Sequence, residues 1–249
     1  MRPVAIDGSA AALSAARLAA RSNRRAEVRI ARGLDDLLMV YTIRALVYMA
    51  EQDCPYAEEF DGNDQCATHF VGLIQGEPAG CLRARFFGDF VKLERLAVRK
   101  NFRRSTLAFD LVRAGIDLAR RKGFTRIYGH SREGLDSFWA RFGAKPLPDR
   151  EEFVFSDYRY REMVIDLEPN ADPISMRSGP MLILRPEGDW DRPGILERST
   201  ARSARNPHGN SVTTRRRATK ARLKWLAYVT LGAEEGELQD TALTPNNSE

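Results

Sequence analysis

The chain has 249 residues, 39 Lys and Arg against 34 Asp and Glu for a formal net charge of +5, and 43% hydrophobic residues, the composition of an ordinary globular protein long enough to bury a core. No run reaches the roughly 18 consecutive apolar residues that a membrane span needs. Three cysteines, Cys54, Cys66 and Cys81, are odd in number and lack Cys-x-x-Cys spacing, which excludes a disulfide scaffold or a cysteine zinc site.

Residues 1–26 carry five Arg and one Asp in an Ala-rich stretch that Arg17 interrupts, so they read as a flexible leader or short surface helix rather than a secretory signal. Residues 27–168 balance 22 bases against 23 acids, as a globular domain does. Within them Glu27 to Ala31 is a first strand. Asp35 or Asp36 is placed to cap a helix over 37–50 with the stripe Met39, Ile43, Leu46 and Ala50. Pro55 ends that helix, and residues 58–64 form an acidic turn. Two antiparallel strands follow, 67–74 and 78–87, joined at Gly76-Glu77.

The strand over 90–98 changes face midway: its apolar positions are Val91 and Leu93, then Leu96 and Val98. A regular strand alternates strictly, so an extra residue near Glu94-Arg95, a β-bulge, is the simplest repair, and bulges often re-aim groups at active sites. A long amphipathic helix is predicted over 103–122, with Leu107, Leu111, Ala114 and Leu118 in one apolar row and Gly123 as terminator. A strand over 124–130 comes next. Ser131 is placed to cap a helix aligning Leu135, Phe138, Trp139 and Phe142, which Gly143 ends. Residues 158–167 supply a last strand, and the order is α+β.

Residues 92–146 resemble the core of a GNAT-superfamily N-acyltransferase, and the order of elements agrees from about 27 to 167. The resemblance implies a mixed central sheet of six to seven strands flanked by helices. In that family a turn of pattern Arg/Gln-x-x-Gly-x-Gly/Ala opens the long helix. Arg103, Arg104, Ser105, Thr106, Leu107 and Ala108 occupy those places here, with Thr106 where the family usually has Gly. The first amides of a helix lack internal partners and sit at the positive end of its dipole, which suits the diphosphate of coenzyme A. The family likeness therefore implies that these six residues, with Leu96, Ala97 and Val98 of the preceding strand, hold the donor. Upstream, Arg44, Glu51-Gln52-Asp53-Cys54-Pro55-Tyr56 and the Asp-rich turn are similar to a small bacterial subgroup of the same superfamily. Acyl-homoserine-lactone and N-acyl amino acid synthases share a related outline and take acyl carrier protein.

Attack of an amine on a thioester needs a free electron pair on nitrogen and a place for the proton. Glu94 is the first candidate base, and it suits an ion pair with Arg95 or Lys92 equally well. His130 is the second, as base or proton shuttle, against a hydrogen-bonded structural role. His69, inside an apolar strand, reads as structural, and His208 lies in the tail, so no metal site emerges. Trp139 stands where many relatives carry a Tyr that protonates the leaving thiolate. Ser131, Ser137 or solvent would then substitute, or the thiolate would leave unprotonated. Glu58, Glu59, Asp61 and Asp64 suit attraction of a cationic acceptor or ordinary turn and capping roles, and Cys54 and Cys81 read as buried thiols.

Residues 168–249 form an extension. Met181 to Leu184 and Arg185 to Trp190 are placed to pack back on the domain. Beyond Arg198 the charge segregates, with nine bases and no acid from Arg198 to Lys224, and the composition favours disorder with a basic helix over 215–231. That helix would offer an acidic carrier protein, nucleic acid or a membrane surface a contact. The expected function is a cytoplasmic N-acyltransferase, chiefly an N-acetyltransferase, passing an acyl group from acetyl-CoA, another acyl-CoA or an acyl-phosphopantetheine to a small-molecule amine or amino acid, without metal. The alternatives are an N-acyl amino acid synthase-like enzyme fed by acyl carrier protein, and an inactive binding module of the same fold.

Overall fold

The computed structural model describes residues 26–200 and 202. The leader ahead of Ala26 and the tail helix expected over 215–231 lie outside the described residues. One compact unit extends to Leu196; a second begins at Glu197.

Eight strands form one sheet in the order β1-β2-β3-β4-β5-β8-β6, with β7 on β8. They are β1 (Ala26–Ile30), β2 (Thr68–Ile74), β3 (Glu77–Phe86), β4 (Val91–Val98), β5 (Arg126–Arg132), β6 (Lys145–Pro146), β7 (Phe153–Phe155) and β8 (Tyr158–Asp166). All neighbours are antiparallel except β4 and β5. The count exceeds the expected six to seven because β6 and β7, of two and three residues, are too short to show an alternation.

Helix α1 (Leu34–Arg44) continues through a π-helical turn, Ala45–Met49, into a last turn, Ala50–Gln52. The expected Asp cap is absent. Gly33 is the N-cap with no side-chain bond, and Asp36 instead pairs with Arg29 at 2.8 Å and accepts the Arg32 amide. The buried row is Val40, Ile43, Arg44 and Val47, while Leu46 of the expected stripe is 41% exposed. Almost every residue between Leu37 and Met49 is apolar, so spacing alone left several faces open. Arg44 decides between them, since its partners lie inside.

Helix α2 (Tyr56–Glu59) is one turn long, and Asp64–Cys66 adds a 3-10 turn. Helix α3 (Leu107–Arg121) starts four residues later than its apolar pattern suggests, because Arg103 to Thr106 form the turn before it. It ends as expected: Gly123, at φ +88°, donates to the Arg120 carbonyl and Phe124 to that of Ala119, the paired bonds that close a helix on a left-handed residue. Ser131 does not cap α4 (Asp136–Ala140). It lies buried in β5 and donates from Oγ to Asp136 Oδ1 at 2.7 Å, so it anchors the helix from the strand. Helix α5 (Gly179–Ile183) follows, then α6 (Ile195–Thr200) at the limit of the described residues.

The sheet separates two apolar layers. On one side Val91, Leu93, Ile127, Met163 and Ile165 pack with Leu107, Leu111, Leu118 and Trp139. Trp190 of the extension is buried in the same layer, at 4% exposure, and Lys122 and Arg121 hold its segment through Glu187 and Asp191. On the other side Val71, Leu73, Cys81 and Ala97 pack against Val40, Ile43 and Val47. Among the described residues no helix is long and apolar enough to cross a membrane.

Candidate functional site

The face change read from the sequence of β4 is a bulge. Arg83 pairs with Glu94 and Cys81 with Ala97, so two residues of β3 are matched by three of β4. Val91 and Leu93 before it, and Leu96 and Val98 after it, all reach the α3 layer, while Ala97 joins the α1 layer. Arg95 takes the extra position at φ +54°, which costs a non-glycine residue roughly 1–2 kcal/mol. Its guanidinium offsets this by donating to the Glu58 carbonyl at 2.7 Å and pairing with Glu59 and Asp61.

At the same level β4 and β5 part. They pair in parallel only from Val91 with Ile127 to Leu93 with Gly129. A Cβ on Gly129 would come within 3.3 Å of the Leu93 carbonyl and 2.7 Å of Met163, so glycine lets the last pair close before the strands diverge. Beyond it the β5-facing edge of Leu96, Ala97 and Val98 has no strand partner. The gap is flanked by Glu94 on β4 and His130 on β5, which the register puts on the face opposite α3.

Above the gap stands the turn that opens α3. Arg103 and Ser105 donate their amides to the carbonyls of Lys100 and Phe102, and Leu107 to Ser105 Oγ. The amides of Arg104, Thr106, Ala108 and Phe109 have no partner within the described chain. Arg103 is engaged, its Nη2 on Glu51 at 2.5 Å and its Nε on the Val98 carbonyl at 2.9 Å, whereas Arg104 is exposed and unpaired. Thr106 turns its hydroxyl to Asp110 Oδ2 at 2.7 Å, away from the open amides. Beside the turn, Thr106, Phe109, Arg113, Arg141 and Phe142 line a cleft of about 290 Å³ with two guanidinium groups. Four free amides at a 15-residue helix, one free cation and an open strand edge fit a diphosphate-bearing thioester.

The candidate bases differ in what they touch. Glu94 Oε1 accepts from Arg83 Nε at 3.0 Å and Oε2 lies 2.9 Å from Lys92 Nζ; Arg95, the alternative partner, faces elsewhere. His130 uses Nε2 toward Tyr128 Oη at 2.8 Å, and its Nδ1 makes no hydrogen bond within the described chain. Burial, and then the charge of Lys92, push the His130 imidazole down to about 4, so it is neutral at physiological pH.

Two fully buried arginines, Arg44 and Arg83, underlie the site, and sequence reasoning missed the second. Arg44 binds Glu59 Oε1 and Asp64 Oδ1, both at 2.5 Å. Arg83 binds Asp61 at 2.6 Å, Asp64 at 2.8 Å and Glu94. Glu59, Asp61 and Asp64 are therefore internal counterions and do not attract an acceptor or cap a turn. Burial raises the Asp61 carboxyl, but the Arg83 hydrogen bonds outweigh it and hold it well below the usual range. Glu58 instead accepts from Ser156 Oγ at 2.5 Å, and Ser156 lies 3.1 Å from Cys54 Sγ.

The remaining candidates are structural. His69 is 3% exposed and bonds the Asp64 carbonyl. Burial pushes the Cys81 thiol up to about 12, which removes it as a nucleophile. Trp139 is packed in the α3 layer. Among the described residues no group of His, Cys, Asp and Glu is placed to hold a metal.

Residues 36–144 match the model of the acetyltransferase (GNAT) family. A Bacillus subtilis protein assigned as an acetyltransferase is 30% identical over 122 residues, 48% of this chain and 82% of that one. The uncharacterized N-acetyltransferase YjcF of the same organism is 25% identical over 137 residues, 55% of this chain and 97% of its own. Among solved structures, an acyl-CoA N-acyltransferase from Pseudomonas aeruginosa superposes with a TM-score of 0.52 at 21% identity, covering 57% of this chain and 99% of that one. Escherichia coli ElaA does so at 0.51 and 19% identity, covering 57% of this chain and all of its own.

Proposed function

The chain belongs to the GNAT family of acetyltransferases, and from that premise we propose that it carries an acetyl group from acetyl-CoA directly to the amine of a small molecule or amino acid. The family works with acyl-CoA; the acetyl donor, the acceptor class and the residue roles that follow are our reading. The observation that carries it is the coincidence, at one level of the sheet, of the bulge, the parting of β4 from β5, and the open amides ahead of α3.

The amides of Arg104, Thr106 and Ala108, with the Arg104 cation, hold the diphosphate. The open edge of Leu96 to Val98 takes the pantetheine amides, which brings the thioester into the gap. Arg103, tied to Glu51 and to the Val98 carbonyl, fixes the turn against the end of α1. Ser105 stiffens the same turn by donating from Oγ to the Phe102 carbonyl at 2.6 Å and accepting the amide of Leu107, which itself is buried.

The amine nitrogen forms its bond to the carbonyl carbon, the C–S bond breaks, and the proton lost by nitrogen ends on the CoA sulfur. A histidine held near 4 cannot strip an alkylammonium that titrates near ~10.4, so the amine attacks in its neutral form. Once the C–N bond forms, the nitrogen becomes acidic, and His130 Nδ1 is the free acceptor for its proton. Glu94, fixed by Arg83 and Lys92, contributes negative charge beside that nitrogen and a site for a relaying water. A thiol titrates near ~8.5, so the thiolate can leave unprotonated next to the basic turn and take its proton from His130 or solvent. No acid in the place of Trp139 is needed. Such a donor puts the reaction in the cytoplasm.

The test is thiol release from acetyl-CoA, a long-chain acyl-CoA and an acyl carrier protein, each with a panel of amines. Amine-dependent release from acetyl-CoA is expected. Release confined to the carrier protein would replace the donor, and failure of CoA to raise the melting temperature would remove the enzymatic reading in favour of a binding module.

A further inference from the structure

On the face of β5 and β8 opposite α3, three side chains form a hydrogen-bonded row that the reading above leaves unused. His130 pairs with Glu162 across the strands and Tyr128 with Val164, so the Tyr128 side chain reaches diagonally to Glu162. Tyr128 Oη donates to Glu162 Oε1 at 2.5 Å and lies 2.8 Å from His130 Nε2. Arg150 Nε is 3.5 Å from the second oxygen of Glu162. The rings of Phe153 and Tyr128 meet the imidazole edge-on, at 4.8 and 5.2 Å, and fix its plane.

The protons in this row can be counted. An ionised carboxylate only accepts, and a phenol has one proton. With that proton on Glu162, the phenol oxygen is left as an acceptor, and the His130 nitrogen facing it must carry hydrogen. We propose that Tyr128 and Glu162 are positioning residues of the transfer reaction, holding His130 as the Nε2–H tautomer so that the electron pair of Nδ1 faces the acceptor amine. This rests on the reading that His130 takes the amine proton.

The electrostatics agree. Burial and the Glu162 charge raise the Tyr128 phenol, so it keeps its proton and remains a donor. The charged groups around His130 are Lys92, Glu94 and Arg95 of β4 and Glu162 of β8, with Arg150 behind Glu162. Of these, the described hydrogen bonds connect only Glu162 to the imidazole, through Tyr128. In Glu162→Gln the amide can donate to the phenol oxygen. The phenol then turns its own proton toward Nε2, and His130 is driven to the Nδ1–H form, which has no pair to offer.

The experiment is nitrogen NMR of the imidazoles in the full chain, which has only three histidines, His69, His130 and His208, assigned by difference with His130→Gln. The wild type is expected to show the Nε2–H tautomer at His130, and Glu162→Gln to shift it toward Nδ1–H. In Glu162→Gln and Tyr128→Phe, kcat is expected to fall at least about tenfold with KM for acetyl-CoA unchanged, and Glu162→Asp to retain more turnover than Glu162→Gln. An Nδ1–H tautomer in the wild type, which needs no variant to fold, would overturn the positioning row. So would unchanged tautomer and turnover in Glu162→Gln. Full turnover in His130→Gln with the expected wild-type tautomer would instead remove the base assignment, and with it the catalytic purpose of an otherwise intact row.

Discussion

Replacing Arg83 with methionine keeps most of the side-chain length and deletes the charge at the centre of the buried network. Arg83 is fully buried and serves Asp61, Asp64 and Glu94 at 2.6 to 3.0 Å. Breaking a buried ion pair from one side costs roughly 3–5 kcal/mol. Each carboxylate keeps one cation here, Arg95 for Asp61, Arg44 for Asp64 and Lys92 for Glu94, so the low end, about 3 kcal/mol, is expected at pH 7. For a unit of this size that lowers the melting temperature by roughly 6–12 °C. The pH dependence has a definite sign. The Asp61 and Asp64 carboxyls lie below their ordinary value because Arg83 and, for Asp64, Arg44 outweigh burial. Their contribution is therefore present above about pH 3.9 and is lost as pH falls further. The variant gains from protonation, which removes charge it can no longer balance, so the gap to wild type narrows as pH drops from 7 toward 4. Urea unfolding of both proteins across that range measures it. A gap under about 1 kcal/mol at pH 7, or one that stays constant down to pH 4, would refute the network as described.

Three further outcomes are expected. Because His130 is pushed down to about 4, kcat/KM between pH 5 and 9 should follow the acceptor's own ionisation, breaking near ~7.7–8.0 for an α-amine and continuing to rise for a lysine-like amine. A break near pH 6.5 that disappears in His130→Gln would contradict this. Arg103→Ala and Arg104→Ala should each raise KM for acetyl-CoA about tenfold with kcat nearly unchanged, while Glu94→Gln mainly lowers kcat; equal rises in KM for all three would undo the division of roles. Thr106→Gly removes the Cβ beside the open amides and the bond to Asp110, so calorimetry should show CoA binding a few-fold tighter, and weaker binding would mean that Thr106 itself contacts the donor.

What could be read without coordinates was whatever leaves a period in the sequence. The bulge was legible because Val91, Leu93, Leu96 and Val98 break an alternation, and the end of α3 because only Gly123 suits a left-handed residue there. The turn ahead of α3 was legible as a position, but not which amides stay open, since that depends on the individual bonds of Arg103, Ser105 and Leu107. Arg83 gave no signal. An arginine in a strand reads as solvent-facing, and only the approach of Asp61, Asp64 and Glu94 from other segments makes its burial affordable. The row of Tyr128, His130 and Glu162 is likewise a matter of register between β5 and β8, separated by some thirty residues in the chain. Of its members His130 alone was singled out, on the chemistry of its ring.

The π-helical turn in α1 bears on how this scaffold tolerates change in length. It places Tyr48 so that its hydroxyl donates to the Leu96 carbonyl at 2.8 Å, and Glu51 so that it meets Arg103. Deleting one residue between Ala45 and Met49 would let the segment relax into an ordinary helix and rotate everything after it by about 100°. Tyr48 would release the strand just past the bulge, and Glu51 would release the turn. A single wide loop of backbone is thus the joint through which the first helix grips both walls of the gap, and shortening it would loosen them together while leaving the cores on either side of the sheet intact.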